Sequence, residues 1–356
     1  MTPFRTAVDV SLLVGFALLA SACQPGGPEA LWQDYLQRLE RLADLRAEPA
    51  PPISATRYPR SRDVRQPIPE LRTGMRRYFG LAQCDMMGLV SARNSSLGRL
   101  QTASLRFAYE LDFIRQAETC LIEDRLAERE DLDAWLTEIS RLKRESLPAL
   151  YWNATLGSQE MASFFTTTAR PADAGTLADL TTVETLFDRM ALTASQLTGD
   201  TLPADVGVLE QDIAHLAHSD TGGRILQGLA LATGELQRSA SLLEQVDTAR
   251  LCPDQRPSEQ ARYFNNVFTA VYGERVQPWL ADLDRANRRL VQAVARLADA
   301  LPADSPAFDA WHHRHLDPDG PLQQAWHAAM QRHTRAWQHL LGDCGMPPGA
   351  HPAPSG

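Results

Sequence analysis

The sequence predicts an all-α protein, a multi-helix bundle, and three observations carry that reading. Apolar residues recur at three- and four-residue spacing along most of the chain, which gives a helix one apolar stripe. No segment alternates apolar and polar residues long enough to read as a strand. Pro- and Gly-containing breaks punctuate the periodic stretches. Stripes on consecutive helices must bury against one another, with room for two packed helical sub-bundles divided near residues 169–176.

The first expected helix covers residues 29–48, where Trp32, Tyr35, Leu36, Leu39 and Leu42 form one stripe. Pro49, Pro51 and Pro52 end it, and an Arg/Pro-rich segment without periodicity fills 49–69. Helices are then expected over 70–93, 99–121, 129–150 and 158–168, completing an N-terminal sub-bundle over 29–170. The C-terminal sub-bundle, 171–344, follows a break at 171–175. Its expected helices cover 177–198, 204–217, 222–250, 257–301, 305–316 and 320–341. Pro278 should kink or split the longest of these, because proline lacks a donor and clashes with the preceding turn. The tail, 345–356, is too rich in Pro and Gly to fold and is expected to be disordered.

Residues 1–22 read as a lipoprotein signal peptide. Arg5 gives a weakly positive start, and the apolar run over 10–20 is eleven residues long. A permanent membrane helix needs roughly twenty. Ala20, Ser21 and Ala22 are small enough for a peptidase cleft, and Cys23 follows with a thiol that can take a diacylglycerol. The pattern resembles the bacterial lipobox, although Ala20 stands where leucine is usual and Asp9 precedes the apolar run. An ordinary signal peptide with a chance cysteine, or a retained membrane anchor, are the alternatives. Gln24, in place of an aspartate, points to outer-membrane sorting, and residues 23–28 make the lipidated cysteine and its spacer. The expected address is therefore the cell envelope, on the outer membrane and facing the periplasm. Two or three acyl chains on Cys23 suffice for stable anchoring.

Cysteine counting agrees with export. Of five cysteines, removing Cys23 leaves Cys84, Cys120, Cys252 and Cys344. Four cysteines in an oxidising compartment form two disulfides, with three possible connectivities. Pairing Cys84 with Cys120 and Cys252 with Cys344 keeps each bond within one half of the chain. Four free buried thiols are the alternative. No Cys-x-x-Cys spacing offers a zinc or redox site. The formal net charge of −9 argues against nucleic acid as a partner.

Four segments are candidates for chemistry. Residues 57–77 hold Arg57, Arg60, Arg62, Arg65, Arg72, Arg76 and Arg77 against Asp63 and Glu70, a local reversal of sign in an acidic chain. Such a patch fits an acidic envelope protein, an anionic glycolipid or a cell-wall polymer. The structural alternative is that these arginines pair with the chain's own carboxylates and pin an irregular segment onto the bundle. Arg93, Asn94 and Ser95, in the run RNSSLG, offer either a helix–helix turn or a polar site. His312, His313, His315, His327, His333, His339 and His351 crowd the C-terminus, but only His312 and His315 have metal-ligand spacing on a helix. His215 and His218, with Asp212, make a second weak cluster. Ser140 and Lys143 match S-x-x-K, yet the accompanying motifs of that enzyme class are absent. Lys143, the single lysine, should lie at the edge of the stripe Leu132, Trp135, Leu136, Ile139 and Leu142 and snorkel to water. No nucleotide loop or other cofactor motif is found, and no metal site is assigned.

The segments YPRSRD (58–63), RNSSLG (93–98) and YELDFI (109–114), flanked by Cys84 and Cys120, resemble an uncharacterised family of bacterial lipoproteins, domain of unknown function 3080. The resemblance covers most of the mature chain and is sharpest over 57–121. It implies a lipoprotein with a helical domain and brings no activity or catalytic residue. The expected function is a non-enzymatic binding or structural module for an envelope partner, held to the membrane by its lipid. An envelope hydrolase or cell-wall-modifying enzyme, and a histidine metal binder, are the alternatives.

Overall fold

A computed structural model describes residues 26–50, 53–71, 73–199, 201–204, 207–301 and 303–348. Cys23, Arg72, His351 and most of the expected tail lie outside the described residues. Among the described residues the chain is all helix and loop, with no strand. The helices are α1 (Pro28–Ala43), α2 (Ser61–Val64), α3 (Met75–Gly80), α4 (Met87–Asn94), α5 (Ser96–Arg99), α6 (Ala103–Ile122), α7 (Glu130–Ala154) and α8 (Gln159–Phe164). They continue as α9 (Ala174–Leu197), α10 (Gly207–His218), α11 (Thr221–Glu244), α12 (Thr248–Leu251), α13 (Glu259–Asn266), α14 (Gln277–Ala300), α15 (Pro306–His315) and α16 (Pro321–Asp343).

Helix α11 is the axle of the array. It packs on α16, α1, α14 and α9, and buries Ile225, Leu226, Leu229, Leu236 and Leu243 among them. Its first turn needs glycine, because a Cβ on Gly223 would stand 2.3 Å from the carbonyl oxygen of Thr166. The larger apolar cluster runs from Trp32 to Cys344 and draws on both sides of residues 169–176. A smaller cluster collects Leu81, Val90, Phe113, Leu132, Leu136 and Ile139 between α4, α6 and α7.

Both cysteine pairs stand at disulfide distance, Cys84 with Cys120 and Cys252 with Cys344, with Cα–Cα separations of 5.3 and 5.2 Å. The first lies inside the smaller cluster, and the second ties the start of the 253–276 region to the end of α16. A bond across 92 residues removes much of the loop freedom of the unfolded chain, roughly 4–5 kcal/mol on a chain-entropy account.

The helix expected over 29–48 ends at Ala43, the one expected over 222–250 is divided into α11 and α12, and two others differ in path. The stretch 70–93 is not continuous: α3 runs into a 3-10 turn over Leu81–Cys84, and Asp85 takes a left-handed φ of 58° before α4 begins. The Cys84–Cys120 link and the packing of Gly80 on Leu132 hold the chain where a straight helix would not reach. At Pro278, by contrast, the helical backbone runs on without a break. Val267–Val276 winds as a π-helix immediately before it, and α14 follows with helical dihedrals at the junction. Wider i→i+5 bonding shifts the hydrogen-bond register, so the missing proline N–H falls at a change of register.

The π segment closes over a buried polar network. Trp337 donates its indole N–H to the Tyr35 oxygen at 2.7 Å, and Tyr35 lies 2.9 Å from His333 Nε2. An indole can only donate, so Tyr35 accepts from Trp337, and the neutral Nδ1–H form of His333 is the one that lets the Tyr35 hydroxyl donate to Nε2. His333 is fully buried and its Nδ1 has no partner. Burial pulls its pKa down to about 3. The unfolded value is about 6.5, so the unfolded chain binds the extra proton between these values and stability falls as pH drops through that window. Urea denaturation should lose up to about 1.4 kcal/mol per pH unit through this residue between pH 6 and 4. His333→Phe should flatten the stability profile by that amount. An unaltered slope would mean that the imidazole is not held neutral.

Candidate functional site

The Arg/Pro-rich segment cannot be helical through most of its length, because Pro59, Pro67 and Pro69 interrupt it. Over 53–69 it is irregular except for the single turn of α2. An irregular strap laid on an apolar bundle must satisfy its buried backbone groups elsewhere. Side chains of α7 and α15 do this. Asn153 accepts the Gln66 N–H at 2.7 Å and donates to the Gln66 carbonyl at 2.9 Å. Trp152 donates to the Val64 carbonyl at 2.9 Å. On the other side, His315 Nδ1–H donates to the Trp311 carbonyl at 2.8 Å, which leaves Nε2 to accept the Thr56 N–H at 2.9 Å. Trp311 donates to the Thr56 carbonyl at 3.2 Å. Tyr58 is buried between Phe165 and Trp311 and donates to the Leu156 carbonyl at 2.7 Å.

The arginines take little part in this pinning. Arg57, Arg60, Arg62 and Arg65 are all exposed. Arg60 and Arg62 share Asp63, at 2.7 and 3.6 Å, within the strap itself. Arg57 and Arg65 have no ion-pair partner among the described residues. Exposed pairs of this kind contribute about 0–1 kcal/mol. Arg76 and Arg77 sit apart from the strap on α3, Arg76 near Asp131 at 3.8 Å and Arg77 over the Trp135 ring at 5.5 Å.

The end of the strap forms one bank of a cleft of about 590 Å³, whose other walls are α4, α6 and α7. Leu81, Val90, Phe113 and Ile139 are buried and make its floor, while Asn94 and Arg99 are exposed at its mouth. Arg93, Arg99, Arg106 and Lys143 face Glu70 and Glu110, four cations against two carboxylates. Lys143 does not snorkel to water. It is ion-paired with Glu110, its side chain 12 % exposed, and its ammonium lies 4.5 Å from the Phe113 ring centre and 5.4 Å from that of Tyr109. The facing carboxylate on α6, which helical periodicity cannot reveal, supplies the partner that water would otherwise be. Burial raises the Tyr109 pKa well above the ordinary phenol value, Glu110 adds to this, and Arg93 offsets it in part.

Arg93 and Asn94 line this cleft, but Ser95 is engaged as a helix cap. Its hydroxyl accepts the Gly98 N–H at 3.0 Å and donates to the Ala92 carbonyl at 2.7 Å. The histidines do not gather. His315 holds the strap and His333 lies in the core, while His313 and His339 pair with Asp317 and Asp343 one turn away. No group of three metal-ligating side chains converges among the described residues. His215 faces Asp179 at 3.3 Å rather than Asp212, which is paired with Arg189. Both Ser219 and Thr221 donate to Asp179, at 2.8 and 2.6 Å, so neither hydroxyl proton is given to the imidazole. That arrangement ties α9, α10 and the start of α11 together and lacks a nucleophile–base contact.

The family model described as "Protein of unknown function (DUF3080)" matches residues 32–348. The chain belongs to this family. No curated protein and no solved structure matches it. The DUF3080 match spans the strap, the cleft and all four paired cysteines. It assigns no activity, so the functional reading rests on geometry.

If the bundle holds the strap by its backbone, Asn153→Ala should leave two Gln66 groups unsatisfied and destabilise the protein by about 2–3 kcal/mol in urea denaturation. It should also open 53–69 to limited proteolysis. Arg57→Gln should change stability by less than about 0.5 kcal/mol. The reverse order of effects would return the pinning role to the arginines.

Proposed function

We propose that this chain is an outer-membrane lipoprotein, acylated at Cys23 and facing the periplasm. In this reading it is a non-enzymatic binding module that presents the strap arginines to an acidic envelope protein. The observation that carries the reading is the division of labour in the strap. Its backbone is fixed at Thr56, Val64 and Gln66 by α7 and α15, while Arg57, Arg60, Arg62 and Arg65 stay exposed. Fixed arginines lose less freedom on binding than a mobile loop would, and their planar forks suit carboxylates. The two cysteine pairs at disulfide distance support an oxidising compartment. Among the described residues no helix is long and apolar enough to cross a membrane, which is compatible with attachment through lipid. A hydrolase has less support, because the Ser95 hydroxyl serves as a cap and Ser219 and Thr221 donate to Asp179.

Labelling with palmitate should mark the chain in cells and fail in Cys23→Ser. A photocrosslinker placed at residue 57 should capture an acidic envelope protein. Arg60→Glu/Arg62→Glu/Arg65→Glu should reduce that capture at least tenfold at unchanged chain levels. Equal capture by the charge-reversed chain, or capture of glycolipid alone, would overturn the protein-partner reading. Palmitate on Cys23→Ser would overturn the anchor.

A further inference from the structure

We infer that the cleft between the end of the strap and α4, α6 and α7 is a ligand site of its own, for a single-tailed amphiphile with an anionic head group. Its volume, about 590 Å³, falls in the range of sites that enclose small organic ligands. Its chemistry is divided by depth. The floor is apolar and aromatic, with Leu81, Val90, Phe113 and Ile139 buried and Trp135 beside them. Lys143 and Glu110 neutralise each other inside it, so the wall they form carries no surplus charge. The surplus lies with the arginines.

Arg99 and Arg106 have no carboxylate within ion-pair distance among the described residues. Arg106 Nε is buried with no hydrogen-bond partner, a donor that a ligand oxygen would satisfy. Arg93 is held against the Gly98 carbonyl at 2.7 Å, which fixes the turn bearing Arg99. The exposed guanidinium of Arg99, with Arg106 in the lining beside an apolar floor, matches an anion joined to a hydrocarbon tail, with the tail inward.

A second observation points the same way. Large apolar side chains stand in water close in sequence to lining residues: Met75 and Phe79 on α3, between Thr73 and Leu81, and Leu97 and Leu100 beside Arg99. Leu97 and Leu100 are 81 and 82 % exposed. Single exposed leucines are ordinary, but a concentration of them beside unpaired arginines marks a contact surface. A ligand with an apolar tail, delivered from or returned to a lipid surface, uses both features together. A free phosphate would use only the arginines.

Calorimetric titration of the full mature chain tests this with dodecyl phosphate below its micelle concentration, with dodecyl maltoside and inorganic phosphate as the other two probes. Dodecyl phosphate should bind at one per chain, at least 100-fold more tightly than inorganic phosphate and at least tenfold more tightly than the maltoside. Arg99→Gln/Arg106→Gln should weaken it at least tenfold. Leu97→Ser/Leu100→Ser, at positions too exposed to affect folding, should weaken dodecyl phosphate and leave inorganic phosphate unaltered. Equal affinity for inorganic phosphate would overturn the amphiphile in favour of a free-anion site. Equal affinity for the maltoside would overturn the anionic requirement. Binding only to anionic phosphatidylglycerol vesicles, with no uptake of monomeric probe, would replace the cleft by a membrane-surface contact. No binding of any probe would overturn the site.

Discussion

An irregular chain laid across an apolar surface must find a partner for each backbone N–H and C=O that it buries, and this requirement organises the molecule. The strap lies over both α7 and α15, elements about 150 residues apart in sequence. Trp152 and Asn153 serve it from one side, Trp311 and His315 from the other. Each of these side chains is buried or nearly so, where a neutral hydrogen bond is worth most and a missing one costs most. His315 belongs to this set: burial lowers its pKa, and the neutral ring can both donate to Trp311 and accept from Thr56. The bundle therefore spends polar side chains on backbone, and the strap's own charged side chains are left to the solvent.

That division links fold to function. Residues 68–71 and Thr73 leave the strap and become a bank of the cleft, so the same pins that fix the arginines also fix one wall of the cavity. The opposite wall is held by α6 and α7, whose packing is reinforced by Lys143 on Glu110, while the Cys84–Cys120 pair ties the turn before α4 to α6. Arg99 lines the cleft beside the exposed side chains of Leu97 and Leu100. A rigid frame thus carries two cationic features of different kinds, one a surface row and the other the rim of an apolar hollow.

Periodicity made the helices legible, because burying a stripe is a local demand that recurs every three or four residues. The stripe of α1 and the irregularity of 49–69 are examples where local chemistry decides the outcome. What was not legible depends on partners distant in sequence. The break at Asp85 follows from a cysteine on α6 and a leucine on α7. Continuity through Pro278 depends on a π register that no residue pattern announces. Lys143 looked like a stripe-edge residue because its partner, Glu110, stands on another helix. Of the candidate site, the arginine row was readable as composition, and Arg93 and Asn94 as a polar run. The cleft was not, since Arg106 and Tyr109 on α6 and Trp135 on α7 each read as ordinary positions of amphipathic helices.

The central claim is that the bundle, and not the arginines, holds the strap in place. Hydrogen–deuterium exchange at the Thr56 and Gln66 amides reads this directly, since their acceptors are His315 and Asn153. In a chain with Arg57, Arg60, Arg62 and Arg65 all changed to Gln, both amides should keep the protection they have in the natural protein. Loss of that protection would show that the charges pin the strap and would contradict the account.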